Sequence, residues 1–156
     1  MRIIILMCVL LFLPSNAAAA DNGYLYNAKF VQAAPGRLLE LIDHYKARMA
    51  GYRAIGDEAP LWIRHSQGDK WDLMLLFPLG SYSEYYHPDR VARRQKAWRD
   101  LAEGAKGLIS WQEDLFVYGP GLTELRRASA GAAFFHLEIF QSLPGKQADL
   151  YKEREM

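Results

Sequence analysis

Apolar residues recur along this chain with two periods, and the switches between them mark out its elements. Residues Tyr24 to Gln32, YLYNAKFVQ, are rich in aromatic and β-branched side chains, the composition of a strand. After AAPG, Leu38, Leu39, Leu41, Ile42, Tyr45 and Met49 share one stripe at helical spacing, with Arg37, Glu40, Asp43, His44 and Lys46 largely off it. Pro35 suits the first turn of that helix, where a missing N–H has no partner to lose. Gly51 and IGDEAP read as its end. LWIRHS (Leu61 to Ser66), the turn QGDK and WDLMLLFPL (Trp71 to Leu79) then read as an antiparallel hairpin.

Pro88 is expected near the start of a long helix whose buried stripe is Val91, Trp98, Leu101, Ala105 and Leu108. Arg90, Arg93, Arg94, Lys96 and Arg99 then occupy a solvated face. SWQEDLFVYG (Ser110 to Gly119) reads as a fourth strand. The order β-α-β-β-α-β is the ferredoxin-like split arrangement, an α+β fold. Two helices cover one face of such a sheet, and the other is usually closed by a second sheet of the same kind.

The end of the chain repeats its beginning. A shift of 109 positions sets Phe30–Arg37, FVQAAPGR, over Ile139–Lys146, IFQSLPGK. Gln32 then meets Gln141, Pro35 meets Pro144, Gly36 meets Gly145 and Leu41 meets Leu150. The expected organisation is therefore a domain over 21–122, a linker over 123–133, and over 134–156 the first strand and partial helix of an incomplete second repeat.

At the other end Arg2, the eleven-residue apolar run Ile3 to Leu13, Pro14 and Ala18-x-Ala20 have the three-part form of a signal peptide over 1–20, cleaved after Ala20. Eleven apolar residues are too few to span about 30 Å of hydrocarbon, so no stable membrane insertion is expected after cleavage. The expected location is periplasmic or secreted. Cys8, the only cysteine, would leave with the signal, which removes disulfides, thiolate metal sites and a cysteine nucleophile. Without Arg2 the chain has eighteen basic and eighteen acidic residues, a balance that argues against a nucleic-acid partner.

Three segments, YLYNAKFVQAAPGRLLELIDHY, KWDLMLLFPLGSYSEYYHPDRVARRQKAWRDLAE and LISWQEDLFVYGP, together resemble the NIPSNAP-type branch of the dimeric α/β-barrel superfamily, which is related to the antibiotic-biosynthesis monooxygenases. The resemblance covers about Tyr24 to Gly119. It implies two ferredoxin-like sheets paired into a barrel, as a homodimer or between tandem repeats. Some members of this superfamily are cofactor-free monooxygenases, some bind or degrade haem, and many have no assigned reaction.

Strand alternation supplies a candidate site. With the apolar set Tyr26, Ala28, Phe30, Leu61, Ile63, Trp71, Leu73, Leu75, Phe77, Leu115 and Val117 turned toward the helices, Asn27, Lys29, Trp62, Arg64, Asp72, Gln112 and Asp114 line the opposite face. In a barrel that face is the lumen, where a small molecule would bind between paired charges. The plainer reading is a set of cross-strand ion pairs on a solvated or dimer-buried sheet. Asn27 and Lys29 align with His136 and Glu138, which makes His136 the histidine nearest to a ligand role. His44 lies on the polar side of a helix, His65 on a strand, and His87 at a helix start. Metal-binding histidine spacings, nucleophile elbows and phosphate loops are absent, so no metal and no catalytic residue is assigned. Two functions follow: an exported small-ligand-binding or assembly module, or a cofactor-free or haem-linked oxidoreductase acting in the lumen.

Overall fold

The computed structural model describes residues 23–154, apart from the side chains of residues 98–103 and 154. The expected signal peptide, Cys8, and the side chains of Trp98, Arg99 and Leu101 lie outside the described residues.

Four strands form one antiparallel sheet: β1 (Tyr24–Ala33), β2 (Leu61–Arg64), β3 (Leu73–Gly80) and β4 (Ile109–Gly119), in the order β2-β3-β1-β4. The helices between them are α1 (Leu38–Ala47), α2 (Met49–Ala54), the single turn α3 (Tyr82–Tyr85) and α4 (Pro88–Gly104). This is the ferredoxin-like α+β fold. The first helical segment runs past Gly51, which lies inside α2; the irregularity falls at Arg48 instead. Ser81 caps α3: its Oγ accepts from the Glu84 N–H at 3.2 Å and donates to Glu84 Oε2 at 3.1 Å.

Directly paired strand residues share a face. Lys29 pairs with Leu75 on one side and Asp114 on the other, Asn27 with Phe77 and Phe116, and Val31 with Leu73 and Gln112. Trp62 and Arg64 join them through Leu75 and Leu73. The grouping expected from alternation therefore holds for β1, β2 and β4, with the face inverted, but not for β3, where Leu73, Leu75 and Phe77 share the face of Asn27 and Lys29 and Asp72 does not. Val31, Leu73 and Leu75 are the residues that pack with Leu41 and Tyr45 of α1, so Asn27, Lys29, Gln112 and Asp114 look toward the helices. Both faces of β1 and β3 carry large apolar residues, and only the register between strands joins the two parities. Each fully buried aliphatic side chain in this layer contributes roughly 1.5–3 kcal/mol. Leu39, expected on the buried stripe of α1, is exposed.

The opposite face is a second apolar layer. Ala28, Phe30, Trp71 and Met74 are buried there with Ile63, Leu76, Trp111 and Val117 around them, and no described helical residue belongs to the cluster. Trp71 closes one end of it, stacked on His65 with centroids 4.0 Å apart and edge-on to Phe30 at 5.2 Å.

Past the sheet, the expected linker contains a helix, α5 (Leu122–Ser129), tied back by Arg126 to Glu58 at 2.7 Å. The expected second-repeat strand does not form: residues 134–143 are irregular, and Phe134, Phe135, Leu137, Ile139 and Phe140 are exposed. A strand needs a neighbour to complete its hydrogen-bond ladder, and no described strand pairs with this segment. The turn after it does match its counterpart. Gly36 and Gly145 both have φ of 74°, the left-handed region that glycine enters without a steric cost. Arg37 N–H donates to Ala34 at 2.9 Å, as Lys146 N–H does to Leu143 at 2.9 Å. Helix α6 (Gln147–Arg154) then begins where α1 does in the aligned numbering.

Candidate functional site

A cavity of about 680 Å³ lies between the helices and the polar stripe of the sheet. The sheet contributes Asn27, Lys29, Gln112 and Asp114 with the apolar Phe77, Leu79, Ile109 and Phe116. Helices α1 and α2 and the residue between them supply His44, Tyr45, Arg48 and Tyr52. The turn after α4 supplies Ala105, Lys106 and Gly107, while Asp57, Tyr85 and Arg94 complete the far wall. Volume and mixed lining both fall in the range of small-molecule sites.

Lys29 Nζ and Asp114 Oδ1 sit 3.2 Å apart across adjacent strands, with a quarter to two-fifths of each side chain accessible. Such a pair contributes little to stability but fixes the position of two charges. Arg94 of α4 belongs to the far wall, and Arg90 and Arg93 of the same helix bind the loop next to it. Arg94, expected on a solvated face, is 3 % exposed. Its guanidinium lies over the Tyr85 ring at 3.8 Å and donates to the Tyr85 carbonyl and, at 3.3 Å, to that of Arg90. Arg90 donates to Asp57 Oδ1 at 2.6 Å and to the Leu79 carbonyl at 3.0 Å, and Arg93 to the Ile55 carbonyl at 2.9 Å. These contacts hold the loop after α2 against α4. The correction has a physical basis: arginine combines a long apolar stem with five donors, so it can serve at a buried seam that a hydropathy stripe does not register.

At the near end, His44 and Arg48 converge on the last residue of α4. A Cβ on Gly104 would lie 2.9 Å from both Arg48 Nη2 and His44 Cε1, so a side chain there would make one or both of these side chains shift. His44 Nε2 is buried and has no hydrogen-bond partner among the described residues. Burial, and secondarily the Arg48 charge, lower the His44 pKa below its ordinary value. Burial raises the pKa of Tyr45, Tyr52 and Tyr85 above the usual phenol value, so all three remain O–H donors at neutral pH.

Of the residues singled out from the sequence, Asn27, Lys29, Gln112 and Asp114 meet in this cavity. Trp62 packs below α1 and α2, edge-on to Tyr45 at 5.8 Å, with its indole N–H 3.3 Å from Met49 Sδ. Arg64 is exposed at the end of β2. Asp72 accepts the Ala33 N–H at 2.7 Å, a clamp between β3 and the end of β1 that occupies its carboxylate away from the cavity. His136 lies in the irregular C-terminal segment with 85 % of its side chain accessible and Glu138 Oε1 3.6 Å away. Its expected place on a ligand face required the strand that is not formed. His44, Arg48, Tyr52, Tyr85, Arg94 and Lys106 were not foreseen. The signal for His44 and Arg48 was their i, i+4 spacing beside the apolar stripe, which puts both at one edge of a helix face.

No family model matches the chain, and no curated protein does. Solved structures do. An uncharacterized NIPSNAP domain protein from Burkholderia xenovorans is 14% identical, the match covering 63% of this chain and 96% of that one at a TM-score of 0.49. A NIPSNAP family protein of unknown function from Agrobacterium tumefaciens is 12% identical over 66% of this chain and 94% of its own, also at 0.49. A dimeric protein of unknown function and ferredoxin-like fold from Bacteroides fragilis is 11% identical over 62% and 97%, at 0.44. The chain is thus similar to NIPSNAP domain proteins, the type its sequence resembles, and these three carry no assigned reaction.

Proposed function

We propose that this protein is an exported small-ligand-binding module whose ligand sits between the helices and the sheet rather than on the outer sheet face. The observation that carries the reading is the cavity of about 680 Å³, with the Lys29–Asp114 pair on its sheet side and the rings of Tyr45, Tyr52, Phe77, Tyr85 and Phe116 around it. Aromatic walls around a few placed polar groups are the usual composition of such sites. Ala105→Trp would fill the space. A library of small molecules screened by thermal shift on the chain beginning at Asp21 is expected to yield compounds that stabilise it but not Ala105→Trp. Failure of every compound, or equal shifts in the filled variant, would refute the reading. The export part rests on the Arg2 to Ala20 pattern, and an intact N-terminus on the cell-associated protein would overturn it.

The outer sheet face supports an assembly role alongside. Leu61, Ile63, Leu76 and Val117 are only partly covered and Leu115 is exposed, around a buried Phe30 and Met74. An apolar sheet face is normally closed by another layer, here a second copy of the same sheet or a repeat begun at Pro144-Gly145. Light scattering is expected to give a dimer that Leu76→Lys dissociates, whereas a stable monomer of the unaltered chain would exclude pairing between copies. The alternative of a cofactor-free or haem-linked oxidoreductase belongs in the same cavity, where His44 Nε2 has no hydrogen-bond partner among the described residues. Haem titration tests its haem form: no Soret shift, or one unchanged in His44→Ala, counts against it.

A further inference from the structure

We infer that residues 134–143 of one copy add as an antiparallel strand to the open edge of β4 in a second copy, with Ile139 opposite Leu115. This rests on the assembly reading, that copies of the chain pair, and adds which segment meets which strand. β4 ends the sheet order β2-β3-β1-β4, so among the described residues its far side has no strand partner. It is eleven residues long, and Leu115, Phe116 and Tyr118 along it are exposed. A long apolar edge of this kind is a template for a further strand. Residues 134–143 are the converse, a segment of strand-like composition with no sheet to join. Phe134, Leu137, Ile139 and Leu143 are between 45 % and 93 % exposed. The β1 residues that align with the first three, Leu25, Ala28 and Phe30, are buried.

Side-chain pattern sets the register. On β4, Trp111, Glu113, Leu115 and Val117 share the outer face with Ala28 and Phe30. In the segment, Leu137, Ile139, Gln141 and Leu143 fall on one parity. Antiparallel pairing of Ile139 with Leu115 also sets Leu137 against Val117, Leu143 against Trp111 and Gln141 against Glu113. Three apolar pairs and one amide–carboxylate pair then share the outer face. A slip of two residues one way opposes Ile139 to Glu113 and Glu138 to Asp114. The other slip opposes Gln141 to Leu115 and Leu143 to Glu113. The course of α5 makes the edge a partner's. Arg126 ties α5 to Glu58, which lies by Tyr24 and by Pro78, Leu79 and Gly80 at the end of β3. The chain thus leaves β4, crosses the end of β1 and is held near β3, away from its own β4 edge. A two-fold axis repeats the exchange, so both copies close that edge.

The chain beginning at Asp21 contains no cysteine, so introduced pairs report cleanly. Ile139→Cys with Leu115→Cys, oxidised with copper phenanthroline, is expected to give a disulfide-linked dimer on a non-reducing gel. Directly paired Cα atoms lie about 4.5–5.5 Å apart, within reach of a disulfide. Leu143→Cys with Leu115→Cys, four residues out of register, is expected to stay unlinked. Ile139 is exposed, so Ile139→Asp disturbs no core, and its dimer should dissociate at least ~10-fold more readily in sedimentation than that of the unaltered chain. A crosslink confined to monomers would overturn the exchange by placing the segment on its own edge. Equal crosslinking of the two pairs, or of neither, would overturn the register. A dimer that Leu76→Lys dissociates and Ile139→Asp does not would remove strand addition and leave sheet pairing standing, whereas a monomeric unaltered chain would remove both.

Discussion

Asp57→Asn removes one negative charge from a seam that holds three arginines, and its effect on stability can be worked from the contacts. Asp57 accepts from Arg90 at 2.6 Å and lies 4.0 Å from Arg94, whose side chain is 4 % accessible; those of Arg90 and Asp57 are 16 % and 15 % accessible. Breaking a fully buried pair costs about 3–5 kcal/mol, because the surviving charge is left without compensation. Here the arginines keep the Leu79, Tyr85 and Arg90 carbonyls and the Tyr85 ring, and water reaches part of the seam. The cost should therefore be nearer ~2 kcal/mol, with asparagine preserving shape and one acceptor. Urea unfolding of the chain beginning at Asp21 measures it, and a loss of that size moves the midpoint without changing the slope. Asp57→Asn combined with Arg90→Met should cost less than the sum of the two single changes, because they share a partner. A single-variant loss below about 0.5 kcal/mol would show that solvent already screens the seam, as in exposed pairs, and would refute its assignment as a structural wall.

Other consequences follow from the same coordinates. Leu41 is 0 % exposed between α1 and the sheet, so Leu41→Ala should lose about 2–5 kcal/mol in urea unfolding. Gly36→Ala puts a side chain into open space but at φ of 74°, so strain alone should cost about 1–2 kcal/mol, with Gly36→Asn milder; equal stability of alanine and glycine would deny the left-handed turn. The folded state holds His44 with a lowered pKa, so the unfolded chain binds the extra proton and the contribution is complete above about pH 6.5. It is lost as pH falls through the folded value, with Lys29, Arg48, Asp57, Arg94, Lys106 and Asp114 the described charged groups lining the same space. The urea midpoint should therefore drop more steeply below pH 6.5 in the unaltered protein than in His44→Gln, and parallel curves would remove His44 as the titrating group.

Much of the fold was legible because its signals are local. Strand and helix periods, the Pro35-Gly36 start and the hairpin before Trp71 each depend on a few neighbouring residues. The Ser81 cap of α3 was not anticipated, although its bond to the Glu84 N–H is local. The site was legible only in half. Parity grouped Asn27, Lys29, Gln112 and Asp114 correctly, because alternation is a property of each strand by itself. Asp72 escaped it, since that residue precedes β3 and its carboxylate turns to the Ala33 N–H. His136 was misplaced because a strand was assumed where no neighbour supplies a ladder.

By itself the sequence determined the elements, their order, the ferredoxin-like α+β class and the membership of one polar stripe. Tertiary structure decided which side of the sheet the helices cover, and with it whether that stripe lines a cavity or an outer surface. It also drew Arg94 inward and brought His44 and Arg48 against Gly104 across 56–60 positions of chain. The reason is one of range. Periodicity acts between neighbours along a strand or helix, whereas the choice of face depends on inter-strand register and on where the connections return, and a shift of one residue in that register inverts every side chain.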